Sequence, residues 1–333
     1  MLQFNTENIS KYRTQLMGVA TLLVIFGHSI GNGVIMPKWM EFLCGLASIG
    51  VDIFLLVSGL GLWFSLRNNE VKYAYTFNML IQWYSKRYKR ILLPYFIIMG
   101  THYIISVIFG TPISQALLGF STISYWTNHQ GAWFIAMLIP VYAITPLHYY
   151  ICKKIKNTAL FTLILICFIV IISSINYPLT DIKLQMFIDN IKHILYHLPV
   201  FFIGFMMAPL AKEKRNISIL WISIVPLIIV FLMKYFQFGY WPGFLVFPFI
   251  LICCWLFRYC GNITSSFFSF FGKISLESYL FNGIIGAWII WFFPSIYESS
   301  LNKGCYLHYT LICIIGTTLA YFVNKLCNKI LSR

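Results

Sequence analysis

Charge is what this chain has least of. Only 10% of its 333 residues are Asp, Glu, Lys or Arg, and just nine of those are acidic. Set beside 59% apolar residues, that scarcity excludes an ordinary soluble domain and a disordered chain alike. No linker, low-complexity tract or soluble appendage breaks the sequence, so the expectation is one membrane-embedded domain over 1–333. The nine cysteines are odd in number and mostly sit in apolar stretches. Cys253 and Cys254 are adjacent and no C-x-x-C spacing occurs, which supports neither a disulfide framework nor a zinc site, and no metal is expected. No small-residue cleavage site follows the first apolar stretch, which therefore reads as an uncleaved anchor.

What is present is a series of apolar stretches, each long enough to cross a hydrocarbon core of ~30 Å. Ten can be read, at about 15–33, 43–66, 91–110, 131–150, 158–176, 196–210, 217–236, 242–257, 274–294 and 309–326. The fold expected is all-α and polytopic, with about ten transmembrane helices. Of the 24 Lys and Arg, only Lys38, Lys183, Lys192, Lys234 and Lys303 fall on one side of these spans, and the other 19 fall on the opposite side. Because basic residues collect on the cytoplasmic side, both termini are expected inside. The net charge of +15 thus reports topology, and no nucleic-acid partner is implied. Residues 178–197 place Leu184, Phe187, Ile188, Ile191 and Leu195 at helical spacing among charged residues, the pattern of an amphipathic helix on the outer interface.

His28 sits two-thirds of the way along the first span, and Asp52 sits inside the second. An ionisable group at bilayer depth costs on the order of 3 kcal/mol on the mildest scales, so His28 and Asp52 point to function. His28 lies fifteen residues, about 22 Å of helix, beyond Arg13. Asp52 lies about 14 Å below the start of the second span, which predicts that the two share a level on antiparallel helices. His28 is then a general base or a nucleophile that first accepts an acyl group, and Asp52 its orienting partner. A proton- or ion-coupled secondary transporter is the alternative use of such a pair, although no inverted repeat relates the two halves.

The string around Asp52, Gly50-Val51-Asp52-Ile53-Phe54-Leu55-Leu56-Val57-Ser58-Gly59, resembles the G-V-D-x-F-F-x-x-S-G signature of the acyltransferase-3 family of integral membrane O-acyltransferases. Four further stretches resemble that family in order: Met17-Gly18-Val19-Ala20 leading to His28-Ser29; Lys86-Arg87-Tyr88-Lys89-Arg90 leading to Pro94-Tyr95; Trp133-Phe134-Ile135 with Tyr142 and Pro146; and Gly272-Lys273-Ile274-Ser275-Leu276-Glu277-Ser278-Tyr279-Leu280. Two departures stand out. Met17 replaces an Arg common eleven residues before the first-span His, a role Arg13 could fill from one turn lower, and Asn282 stands where members often carry His.

The resemblance implies acetyl-CoA, or another acyl-CoA, as cytoplasmic donor and an extracytoplasmic or lipid-linked glycan hydroxyl as acceptor. It further implies a multi-pass protein of a bacterial-type cytoplasmic membrane, with lipids as its other partners. Lys86, Arg87 and Arg90 are then expected to bind the CoA phosphates, for which guanidinium forks are suited, although inner-face Lys and Arg also set topology. Trp133 is expected to stack on a sugar ring or to sit in the interfacial aromatic belt. Glu277 and Asn282 are expected near the substrate, with Glu277 also able to pair with Lys273 or Arg90. His129 and Gln130 could touch the acceptor, and no role is assigned to His102, His148, His193, His197 or His308.

Overall fold

Prolines that end helices in water are carried inside helices here: Pro94, Pro140, Pro146, Pro199 and Pro209. Apolar surroundings make this tolerable, because no water competes for the backbone and neighbouring helices re-satisfy the freed carbonyls. A computed structural model describes residues 3–73 and 75–332; Arg333, one of the inner charges, lies outside the described residues. The principal helices are α1 (Arg13–Gly31), α2 (Ile49–Tyr73), α3 (Phe77–Ile108), α4 (Trp133–Lys154), α5 (Thr158–Ser174), α6 (Ile182–Lys212), α7 (Val225–Tyr235), α8 (Val246–Tyr259), α9 (Asn262–Lys273), α10 (Ser275–Phe292) and α11 (Tyr306–Leu331). A short antiparallel pair, Gln3–Asn5 with Asn216–Ser218, ties the N-terminus to the turn after α6.

The protein is an all-α, integral multi-pass membrane protein. Among the described residues seven helical stretches are long and apolar enough to cross a bilayer, or eight if α9 and α10, bent by 67°, are counted as one span. The shorter apolar helices α5 and Leu220–Tyr235 stand where the fifth and seventh stretches are expected. One expectation is corrected. Residues 182–197 do not form a separate interfacial helix; they are the first half of α6, whose 31 residues run through Pro199 without a break. At 1.5 Å per residue α6 is ~46 Å long, so the charged half extends past the apolar core while the buried half crosses it.

Close approach of backbones sets the centre of the bundle. A Cβ on Gly59 of α2 would lie 2.2 Å from the Phe201 carbonyl oxygen, and one on Gly204 of α6 would lie 2.1 Å from that of Leu56. The α2–α6 contact is the most extensive in the molecule, and α1 meets α9 in the same reciprocal way through Gly18 and Gly272. Small residues at such crossings are how helices associate without a hydrophobic drive from lipid. Within this frame α10 packs against α1, α3 and α11, and α2 packs against α1.

Candidate active site

The residues of α10 decide what His28 can do. Asn282 Oδ1 lies 2.6 Å from His28 Nδ1. An amide oxygen only accepts, so Nδ1 carries the proton and Nε2 keeps its lone pair. One turn earlier on α10, the Tyr279 ring sits 6.3 Å from the His28 ring, and its hydroxyl accepts the Phe134 backbone N–H at 3.4 Å. Asn282 is 4% exposed, and its Nδ2 has no hydrogen-bond partner among the described residues. Neutral amide and imidazole together form a base held in one tautomer, without a carboxylate.

His28 lines a cavity of about 440 Å³ together with His102, Tyr103, Gln130, Trp133 and Tyr279. That volume falls within the range of small-molecule sites. The structure thus brings together His28, Trp133 and Gln130, and seats Asn282 behind the imidazole. His129 turns away, its Nδ1 hydrogen-bonded to Asn190.

Asp52 does not join this group, which corrects the expected His28–Asp52 contact. Its helix begins at Ile49, after a separate helix over Lys38–Leu46, and Gly50 abuts Ala20, Leu23 and Val24 of α1. His28 is at least four residues, ~6 Å, farther along α1. Asp52, fully buried, instead accepts from His197 Nδ1 at 2.7 Å through Oδ1 and from the Tyr240 hydroxyl at 3.3 Å through Oδ2. A buried carboxylate must be satisfied in this way or pay its desolvation in full. The His197 ring lies 5.4 Å from Trp133 and 5.4 Å from His193, whose own ring is 4.7 Å from Trp133. Trp133 therefore has the cavity on one side and the α6 histidines on the other. Beyond them Tyr125, whose hydroxyl burial pushes up to about 12, donates to the Asn190 carbonyl at 3.2 Å and lies 3.0 Å from His193 Nδ1.

At the opposite end of the same helices three guanidinium groups gather. Arg13 lies against Gly61, where an added Cβ would come within 2.7 Å of its Nη2, and Arg87 Nε donates to Ser65 Oγ at 3.0 Å. Arg13, Arg87 and Arg90 act on one another and on Tyr142 electrostatically. None of the ion pairs found among the described residues involves any of the three. Arg13 and Arg90 are exposed at the protein surface and Arg87 is half-buried. Lys86 is exposed and is not one of the groups acting on this set. Glu277 belongs to this end too: it is 4% exposed, accepts Asn324 Nδ2 at 3.0 Å and feels Arg90, while among the described residues it forms no ion pair with Lys273.

Sequence reasoning missed His197, Tyr240 and His102. For the first, a signal existed: His193 and His197 are one helical turn apart and share a face of α6, where they can meet a buried acid. Nothing in the sequence marks Tyr240, which reaches Asp52 from the loop before α8.

A family model for the acyltransferase domain matches residues 15–325 of the chain. Comparison with curated proteins and with solved structures gives no match.

Proposed function

The chain belongs to the acyltransferase-3 family, and from that premise we propose that it moves an acyl group, acetyl first among candidates, from acyl-CoA to a carbohydrate hydroxyl. The observation that carries this reading is the placement of His28, whose free Nε2 borders a cavity of about 440 Å³. The unpaired Arg13, Arg87 and Arg90 lie toward the other end of α1 and α3, Arg13 being ~22 Å of helix from His28.

In this reading the basic end faces the cytoplasm of a bacterial-type membrane, and its three guanidinium groups take the CoA phosphates. The thioester reaches up toward His28, and the acceptor glycan, free or lipid-linked, enters the cavity from the other side and lies on Trp133. Nε2 of His28 takes the hydroxyl proton as the oxygen attacks the thioester carbon, and returns it to the departing thiolate. Asn282 holds the tautomer and Asp52, through His197, braces Trp133. Glu277 supports Arg90 from behind and does not meet the acceptor. Lys86 adds positive charge to the donor-side entrance without a direct contact.

The test is turnover by purified protein in nanodiscs given labelled acetyl-CoA and bacterial surface glycan. CoA thiol should appear, label should reach the glycan, and His28→Ala should abolish both. Proton-coupled uptake with no CoA dependence would overturn the reading in favour of a transporter, and a stable label on His28 would replace direct transfer by a covalent route.

A further inference from the structure

His102 lines the same cavity as His28, and it carries the opposite tautomer. The indole Nε1 of Trp288 lies 3.1 Å from His102 Nδ1. An indole N–H can only donate, so Nδ1 of His102 is the acceptor and the ring's proton sits on Nε2. The ring is clamped in place as well: it stacks on Trp291 with centroids 5.6 Å apart and planes 11° apart, and lies 5.1 Å from Tyr103. Across the cavity, Asn282 accepts from His28 Nδ1 and leaves Nε2 with a lone pair. Of the two histidines that line the cavity, one therefore keeps a bare Nε2 and the other an Nε2–H.

The two rings also stand at one level. His28 is fifteen residues beyond Arg13 on α1, and His102 is fifteen residues beyond Arg87 on α3. Both helices run away from the arginine cluster, so each imidazole is ~22 Å from it.

Resting on the acyl-transfer reading, we infer that His102 is a catalytic hydrogen-bond donor: its Nε2–H binds the carbonyl oxygen of the acyl group as that oxygen becomes negative. When the acceptor oxygen bonds to the thioester carbon, the carbonyl π pair moves to oxygen and His28 Nε2 takes the hydroxyl proton. The oxyanion is held by His102 without proton transfer. When the pair returns, the carbon–sulfur bond breaks, and the proton on His28 goes to the thiolate, giving the ester and CoA thiol. A fixed N–H aimed at a charge that develops only in the transition state speeds the step without tightening ground-state binding. Trp288, which touches no substrate, is a positioning residue that keeps His102 from taking the wrong tautomer.

The test combines spectroscopy with kinetics on the full-length protein in nanodiscs. With ¹⁵N-histidine labelling, His102→Gln identifies the His102 ring signals, which should show Nε2 protonated and Nδ1 bare. Trp288→Phe should convert them to a tautomer mixture. With acetyl-CoA and glycan, His102→Leu should lower kcat roughly 10²-fold, the usual effect of losing one oxyanion donor, with KM for acetyl-CoA unchanged. His102→Gln, which keeps an N–H near the Nε2 position, should recover much of that loss. Protonation at Nδ1, or His102→Gln no better than His102→Leu, would overturn the inference. If the wild-type protein shows no acyl transfer while the tautomers are as stated, the functional reading fails instead, so the two failures are distinguishable.

Discussion

Asn282→Leu tests the base most directly, because it removes the group that holds the His28 tautomer. The replacement removes the acceptor 2.6 Å from His28 Nδ1 and leaves the imidazole free to exchange tautomers. Leaving a polar group of this kind unpaired costs about 1–3 kcal/mol. At 1.36 kcal/mol per decade, that predicts a fall in kcat of roughly 5- to 150-fold. KM for acetyl-CoA should hold, since the phosphate site is ~22 Å of helix away. Folding should weaken by no more than that same amount, about 1–3 kcal/mol, because Leu has the same branched shape and the only bond lost to His28 is the one at Nδ1. The assay is CoA-thiol release at saturating glycan with acetyl-CoA varied, alongside thermal unfolding in the same detergent. A raised KM at unchanged kcat, or a variant as active as wild type, would refute the argument that Asn282 sets the tautomer of His28.

Three other outcomes follow from the geometry. Arg87→Ala and Arg13→Ala should each raise KM for acetyl-CoA by about 10- to 100-fold, the worth of one hydrogen bond to a charged group, with smaller effects on kcat; steady-state kinetics with increasing salt checks this. Asp52→Ala strips His197 and Tyr240 of their shared acceptor and should destabilise the fold by about 3 kcal/mol, lowering the unfolding midpoint; an unchanged midpoint with activity gone would move Asp52 into the chemistry itself. Gly204→Leu forces a side chain into space where even a Cβ would sit 2.1 Å from the Leu56 carbonyl oxygen, so the protein should no longer elute as a single folded species in size-exclusion chromatography, whereas Gly283→Ala, with open space around its Cβ, should elute normally.

The helical, membrane-spanning character was legible because long apolar stretches and scarce charge leave few other options. Interior prolines do not interrupt those stretches once lipid replaces water. His28, Trp133 and Arg87 could be picked out because polar or aromatic groups stand out against an apolar background. Pairing was not legible in the same way. Depth counted along each helix does not say which residues of two helices face each other at their crossing. What sets the level is the crossing itself: Gly50 meets α1 at Ala20, Leu23 and Val24, which leaves Asp52 below His28 and in reach of His197. Asn282 departs from the His that members often carry, and its position against His28 gives it an orienting role the sequence alone does not suggest. His102 was within reach of sequence reasoning, since its fifteen-residue offset from Arg87 repeats that of His28 from Arg13. What hid it was the absence of any sign that α1 and α3 open onto one cavity.

The central claim is that a thioester anchored at the arginine cluster reaches the free nitrogen of His28. A structure of the full chain with a non-hydrolysable acetyl-CoA analogue measures this directly. The account predicts phosphates on Arg13 and Arg87 and the acyl carbonyl in the cavity, with its carbon close enough to His28 Nε2 for an acceptor hydroxyl to bridge them, each oxygen contact about 3–3.5 Å. An analogue bound at the arginines with its acyl group on any other side of α1, walled off from the cavity, would contradict it.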